Sequence, residues 1–303
     1  MKGSNNRQNM KHSFKHFLYI LILCPGFSIT VIAQNQHSSL LWEISGKDLA
    51  KPSYFFGTIH AIPLEKFFLP NMIIEKFNAT DQIVLELNLN DPSAMTEAQG
   101  LMFMKDTTIS NLLTTEDLKI VTRFFADTLG MQLSMVGNIK PLLLSSIIIQ
   151  FLTGPNPESY EKRFLQMTKS SGKKMIGLET VKEQISCIDQ IPLKEQAKLL
   201  VETVTEFNKS KKEFQRLVDT YLSQNIDNVY KLIIEDPEFK NFGDALIYNR
   251  NQKWVSKIEN LIKEQSCFIA VGCGHLGGEK GILALMRKEG YTVKPIILSE
   301  NQK

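Results

Sequence analysis

At 303 residues, 43% hydrophobic and 22% charged, with 17 Gly and 11 Pro, the chain falls outside the disordered, collagenous and disulfide-dense classes. Its formal charge of +3 comes from the N-terminus: four of the 35 Lys/Arg (Lys2, Arg7, Lys11, Lys15) lie in the first 33 residues, which hold no Asp or Glu. The remaining 31 basic against 32 acidic groups leave −1. That balance argues against nucleic acid or an anionic membrane as the main partner.

Residues 1–33 have the order of a secretory signal: a basic start, an apolar run from Phe17, and a small-residue end at Val31-Ile32-Ala33, making Gln34 the mature N-terminus. The alternative is an uncleaved anchor, but Pro25 and Gly26 interrupt a run already short of the ~20 residues a span needs. A lipoprotein reading at Cys24 is weakened by Leu23, where a small residue is the rule. The expectation is an exported protein, periplasmic, secreted or at the cell surface, with no transmembrane span in residues 34–303. Cys187, Cys267 and Cys273 are too few for a disulfide framework, and they lack the paired spacing of a structural zinc site.

From Leu40 to Thr58, LLWEI and SYFFGT flank a turn-rich Ser45-Gly46-Lys47-Asp48 and predict an antiparallel hairpin. EKFFLPNMIIEKFNA predicts a helix with Pro70 at its boundary, and DQIVLEL a buried strand. Residues 93–170 are mainly helical by pattern and include PLLLSSIIIQFL, too short to cross a bilayer. KMIGLE then predicts a short strand, and Thr180 with Glu183 a capping box. Residues 192–265 are again helical. A strand at Cys267–Val271, a Gly-rich turn, a helix around Lys280–Lys288 and a strand at Tyr291–Leu298 complete the chain. Strands at both ends around a helical centre predict an α/β fold: one mixed central sheet with flanking helices and a large helical insertion at about 93–170.

One arrangement occurs twice, an apolar strand running into Gly-x-x-His: Gly57-Thr58-Ile59-His60 and Gly272-Cys273-Gly274-His275. These hold the only two histidines of the folded body, since His12, His16 and His37 lie in or beside the leader. In open α/β sheets ligands bind at the carboxyl ends of strands, where imidazole can ligate a metal or move a proton. Either His alone would be read as an ordinary hydrogen-bonded residue; the repeated context points to a pair of ligands for a divalent metal. A third ligand is expected from a carboxylate. Glu86 interrupts an apolar strand, the alternative being an exposed face of an edge strand. Glu179 ends another, the alternative being interaction with the amides of the helix starting at Thr180. Burying either carboxylate requires a cation or strong hydrogen bonds. Arg250 and Asn251 lie on a helix with one apolar side: Arg250 is a candidate to stabilise an oxyanion or to pair with a buried carboxylate, and Asn251 to donate to a developing charge, the alternative being a solvated helix face.

Gly272-Cys-Gly274-His-Leu-Gly277 also satisfies the G-x-G-x-x-G dinucleotide pattern, with Glu300 at the distance of a ribose-binding acid. Too little chain follows for the further strand-helix units of such a fold, and His60 would go unexplained.

Taken together, YFFGTIHAIP, IVLELN, GLETVKEQI, YNRNQKW and AVGCGHLGGEKGILALMRKEGYTV resemble the TraB/GumN family, to which the Tiki metalloproteases are related. The resemblance covers nearly the whole mature chain and implies an active-site set of His60, His275, Glu86, Arg250 and Asn251. The wider fold group includes erythromycin esterases and haem-binding lipoproteins, so scaffold alone does not dictate the chemistry. Asn88, where relatives often carry Asp, and Cys273, where Ala is common, depart from the pattern.

The expectation is a metal-dependent hydrolase, metallopeptidase-like, acting on a peptide or protein substrate. His60, Glu86 and His275 would hold a divalent ion such as Mn²⁺ or Co²⁺, Arg250 or Asn251 would stabilise the oxyanion, and Glu179 would shuttle protons. The alternative is a non-catalytic protein that holds a peptide or haem in the same crevice.

Overall fold

The computed structural model describes residues 38–298; the proposed signal at 1–33, its cleavage point and Glu300 lie outside them. The expected α/β architecture is present as a six-stranded mixed sheet. Its strands, in chain order, are β1 (Leu41–Ser45), β2 (Ser53–Thr58), β3 (Gln82–Leu85), β4 (Lys174–Gly177), β5 (Cys267–Gly272) and β6 (Thr292–Ile296). The spatial order is β4-β3-β5-β2-β1-β6. β1 and β2 form the predicted antiparallel hairpin, with Leu41 opposite Phe56, and β6 pairs antiparallel with β1. From β2 through β5 and β3 to β4 all pairings are parallel, so four carboxyl ends lie side by side.

β2 and β5 are buried along their whole length, as strands covered on both faces require. Aromatic side chains fill one side: Phe56 packs edge-on against Tyr160 and Phe164 with ring centroids 5.2 and 5.8 Å apart, and Phe164 meets Phe268 at 5.1 Å. Burial of each such ring contributes roughly 1.5–3 kcal/mol. The Tyr221 hydroxyl, in the same cluster, donates to the Gly57 carbonyl at 2.9 Å and satisfies the backbone where the chain leaves β2.

A second apolar cluster gathers Ile109, Val121, Phe125, Leu133, Leu144 and Ile148 with Ala197, Leu200 and Val204. The helical part thus draws on Leu193–Thr205, while Tyr160–Ser171, begun by a Ser159 cap, packs Tyr160 and Phe164 on the sheet core. PLLLSSIIIQFL is the helix Pro141–Leu152. Among the described residues no helix is long and apolar enough to cross a membrane.

Candidate active site

The parallel ends bring together residues that are far apart in sequence. Thr58 lies opposite Gly272, so His60 and His275 leave adjacent strands. β3 flanks β5 on its other side, and Glu86 follows directly on Leu85. Pairing of β3 with β4 continues past the strand ends, Leu178 donating to the Leu85 carbonyl and Glu179 to that of Glu86 at 2.8 and 3.0 Å. Glu86 therefore follows an interior strand and Glu179 the edge strand β4, and each is 8% exposed.

Arg250 is the cation between them. It reaches in from the helix Asn249–Glu264, which continues a π-helical turn, Asp244–Tyr248. Its Nη2 donates to Glu86 Oε2 at 2.7 Å and Glu179 Oε1 at 2.6 Å, and its Nε to Glu179 Oε2 at 3.1 Å. Nη1 donates to the Leu246 carbonyl and to His275 Nε2, at 2.8 and 3.1 Å. The guanidinium lies over Trp254, 4.6 Å from its centroid. Glu179 is thus paired with Arg250, while the Thr180 helix is capped by Thr180 and Glu183, as predicted.

Asn251 is fully buried and faces the back of His275 rather than the cleft. Its Nδ2 donates to the carbonyls of His275 and Lys280 at 3.2 and 2.9 Å, which leaves Oδ1 to accept from His275 Nδ1 at 2.7 Å. The His275 proton is therefore on Nδ1, and the Nε2 lone pair points into the site. Burial lowers the His275 pKa; Glu86 opposes this, Arg250 and His60 add to it, and at about 3 the ring is neutral near pH 7.

Burial alone would raise the Glu86 carboxyl, but His275, Arg250 and His60, together with the Gly272 amide donating at 2.8 Å, hold it well below the ordinary carboxylate range. Burial raises Glu179, against its pairing with Arg250. His60 differs from His275: its side chain is 72% exposed, and its Nδ1 lies 3.3 Å from Glu161 Oε1. That hydrogen bond and the Glu161 charge lift the ring to about 9, so it carries a proton near neutral pH. Glu161 itself was not legible as a site residue: it opens an amphipathic helix and meets His60 across 101 positions.

Gly272 sits where the half-sites meet. A Cβ there would lie 3.3 Å from Glu86 Oε1 and 3.4 Å from both Cε1 and Nε2 of His60, so only glycine leaves that cradle open. Two imidazoles and an ionised carboxylate suit a divalent ion, and the His275 lone pair is already unprotonated. Arg250 holds Glu86 Oε2 and His275 Nε2, however. Among the described residues no three His, Cys, Asp or Glu side chains stand close enough together to enclose an ion. The donors fit the chemistry, and Arg250 would have to yield contacts for them to close.

These groups form the floor of a cavity of about 690 Å³ whose walls include Leu87, Leu143, Ile188, Leu217, Ile233 and Ile247. Cys273 also lines it, and its thiol is raised to about 12, chiefly by burial, which leaves it protonated.

A profile of the TraB/PrgY/gumN family matches residues 40–295. Metalloprotease TIKI2 of Danio rerio is 22% identical over 336 residues, covering 90% of this chain and 65% of that protein. Metalloprotease TIKI1 of Xenopus tropicalis is 22% identical, covering 86% and 62%, and that of Homo sapiens 23%, covering 86% and 62%. The chain thus spans somewhat under two thirds of these relatives' length. No solved structure matches.

Proposed function

Since the chain belongs to the TraB/PrgY/gumN family, we propose that it is an exported, metal-dependent hydrolase that cleaves peptide bonds. The observation that supports this reading is that His60, Glu86 and His275 follow three neighbouring strand ends around Gly272, with the His275 lone pair turned inward by Asn251. Similarity to proteins named metalloproteases supports the reaction class.

His60, Glu86 and His275 would hold the ion. When bound, a divalent metal polarises a carbonyl and makes water nucleophilic near neutral pH. The chain's own groups supply the rest. Arg250, released from part of its carboxylate pairing, offers guanidinium donors to charge developing on the substrate oxygen. Glu179, raised by burial, lies beside Arg250 and is the carboxyl suited to take up and return a proton. Asn251 keeps His275 in one tautomer. The aliphatic walls exclude water and favour bulky apolar side chains beside the scissile bond.

The test is cleavage of a peptide library with Mn²⁺ or Co²⁺ added, by the wild type and by His60→Ala and His275→Ala. Cleavage should be lost in both variants and should favour bulky apolar residues; retention in both would refute the chemistry. The apolar walls next to two histidines also favour a second reading, in which the cavity holds a peptide or haem without turnover. A haem absorbance band on reconstitution, with no hydrolysis under either ion, would select it.

A further inference from the structure

We propose that Glu161 is the positioning residue of the His60 half-site, fixing the ring so that Nε2 faces Glu86 across Gly272. The inference rests on the reading of His60 as a metal ligand. The carboxylate is held on both oxygens. Oε1 accepts from Thr58 Oγ1 at 2.6 Å and lies 3.3 Å from His60 Nδ1, and Oε2 accepts from Ser159 Oγ at 2.7 Å. Thr58 is the last residue of β2 and fully buried, and Ser159 is the cap of the helix that Glu161 enters. Glu161 is thus anchored to the strand that delivers His60 and to the helix packed on that strand. The imidazole, by contrast, is 72% exposed and lines the cavity.

The two edges of the His60 ring have separate partners. Nδ1 turns to Glu161, while Cε1 and Nε2 both lie 3.4 Å from the point over Gly272 that is 3.3 Å from Glu86 Oε1. The His275 half-site follows the same plan with an amide: Nδ1 bonds Asn251 Oδ1 at 2.7 Å and Nε2 faces inward. Each Gly-x-x-His ring therefore has its Nδ1 held by a side chain from a helix remote in sequence, leaving Nε2 for the shared centre. A partner on the far ring nitrogen sets both the orientation and the basicity of a ligating imidazole, and its loss typically lowers metal affinity about 10–100-fold.

The experiment titrates Mn²⁺ calorimetrically into the full mature chain and records the visible spectrum with Co²⁺, for wild type, His60→Ala, Glu161→Gln, Glu161→Asp and Thr58→Val. The inference expects binding in wild type, its loss in His60→Ala, an affinity about 10–100-fold weaker in Glu161→Gln with an altered Co²⁺ spectrum, and partial recovery in Glu161→Asp. Thermal unfolding of the metal-free proteins separates ligand positioning from a merely structural role. Should Glu161→Gln not fold, Thr58→Val removes the 2.6 Å bond behind the carboxylate and should weaken binding in the same direction. Binding within twofold of wild type in the Glu161 variants, with His60→Ala still deficient, would overturn the inference and leave the metal reading standing. Absence of binding in wild type, or wild-type binding in His60→Ala, would overturn both.

Discussion

Replacing Arg250 with Met keeps an unbranched stem but removes the guanidinium that lies over Trp254 and bonds two buried carboxylates. Arg250, Glu86 and Glu179 have side chains 11%, 10% and 5% exposed, so the stranded charges have little water to turn to. Removing one partner from a buried ion pair costs about 3–5 kcal/mol. Because the cavity admits solvent on one side, we place Arg250→Met at the lower end, near ~3 kcal/mol, which for a chain of this size lowers Tm by on the order of 10 °C. Urea unfolding followed by tryptophan fluorescence, which reports on Trp254, gives the free energy, and calorimetry gives Tm. Adding Glu179→Gln removes one stranded charge and should recover part of the loss, a coupling of about 0.5–3 kcal/mol. Mn²⁺ should also stabilise Arg250→Met more than wild type, because guanidinium and ion claim Glu86 Oε2 and His275 Nε2; saturation at a hundredfold over Kd contributes about 2.7 kcal/mol. A loss below ~1 kcal/mol for Arg250→Met, unchanged by Glu179→Gln, would refute the reasoning.

Asn251→Ala strands the buried Nδ1–H and carbonyl of His275 and should destabilise by about 2 kcal/mol or more, at roughly 1–3 kcal/mol per unsatisfied group, read by urea unfolding, with metal binding lost. Gly272→Ala places a methyl group at the meeting point of His60 and Glu86 and should abolish Mn²⁺ binding in calorimetry while lowering Tm only slightly. In the metal-free protein, proton NMR of the imidazoles should show His60 titrating near 9 and His275 not titrating between pH 5 and 9. The folded pKa of His60 lies above its unfolded value of about 6.5, so its pairing with Glu161 stabilises fully below that value and is lost as pH rises through about 9. Glu161 is held low, chiefly against burial, by His60, Thr58 and Ser159, so its contribution stands above ordinary carboxylate pKa values and is lost as pH falls. Affinity for a divalent ion should strengthen as pH rises toward 9, because Nε2 of His60 must release its proton first.

Much of the scaffold was written locally. The turn at Ser45–Asp48, the apolar runs of β2, β3 and β5 and the Thr180–Glu183 capping box depend on neighbours in sequence, and each stands where the pattern placed it. His60, Glu86 and His275 were legible because each is polar at the end of an apolar strand, where a parallel sheet presents side chains to a crevice. The partners that complete the site were not. Glu179 follows the same strand-end signal, yet its pairing with Arg250 depends on a contact across 71 positions. Asn251 carries no local sign of facing a ring rather than an oxyanion. Glu161 reads as an ordinary acid in the first turn of a helix until Thr58, Ser159 and His60 are seen around it. The helical part likewise recruits Leu193–Thr205 to the cluster around Phe125 and Ile148, a choice of neighbours that amphipathic periodicity does not encode.

X-ray absorption on the Co²⁺-loaded protein tests the shared centre most directly. The account predicts one ion per chain with two imidazole nitrogens and carboxylate oxygen at about 2.0–2.2 Å, and one imidazole fewer in each of His60→Ala and His275→Ala. An ion whose spectrum keeps both imidazoles in either variant, or shows none in wild type, would contradict it.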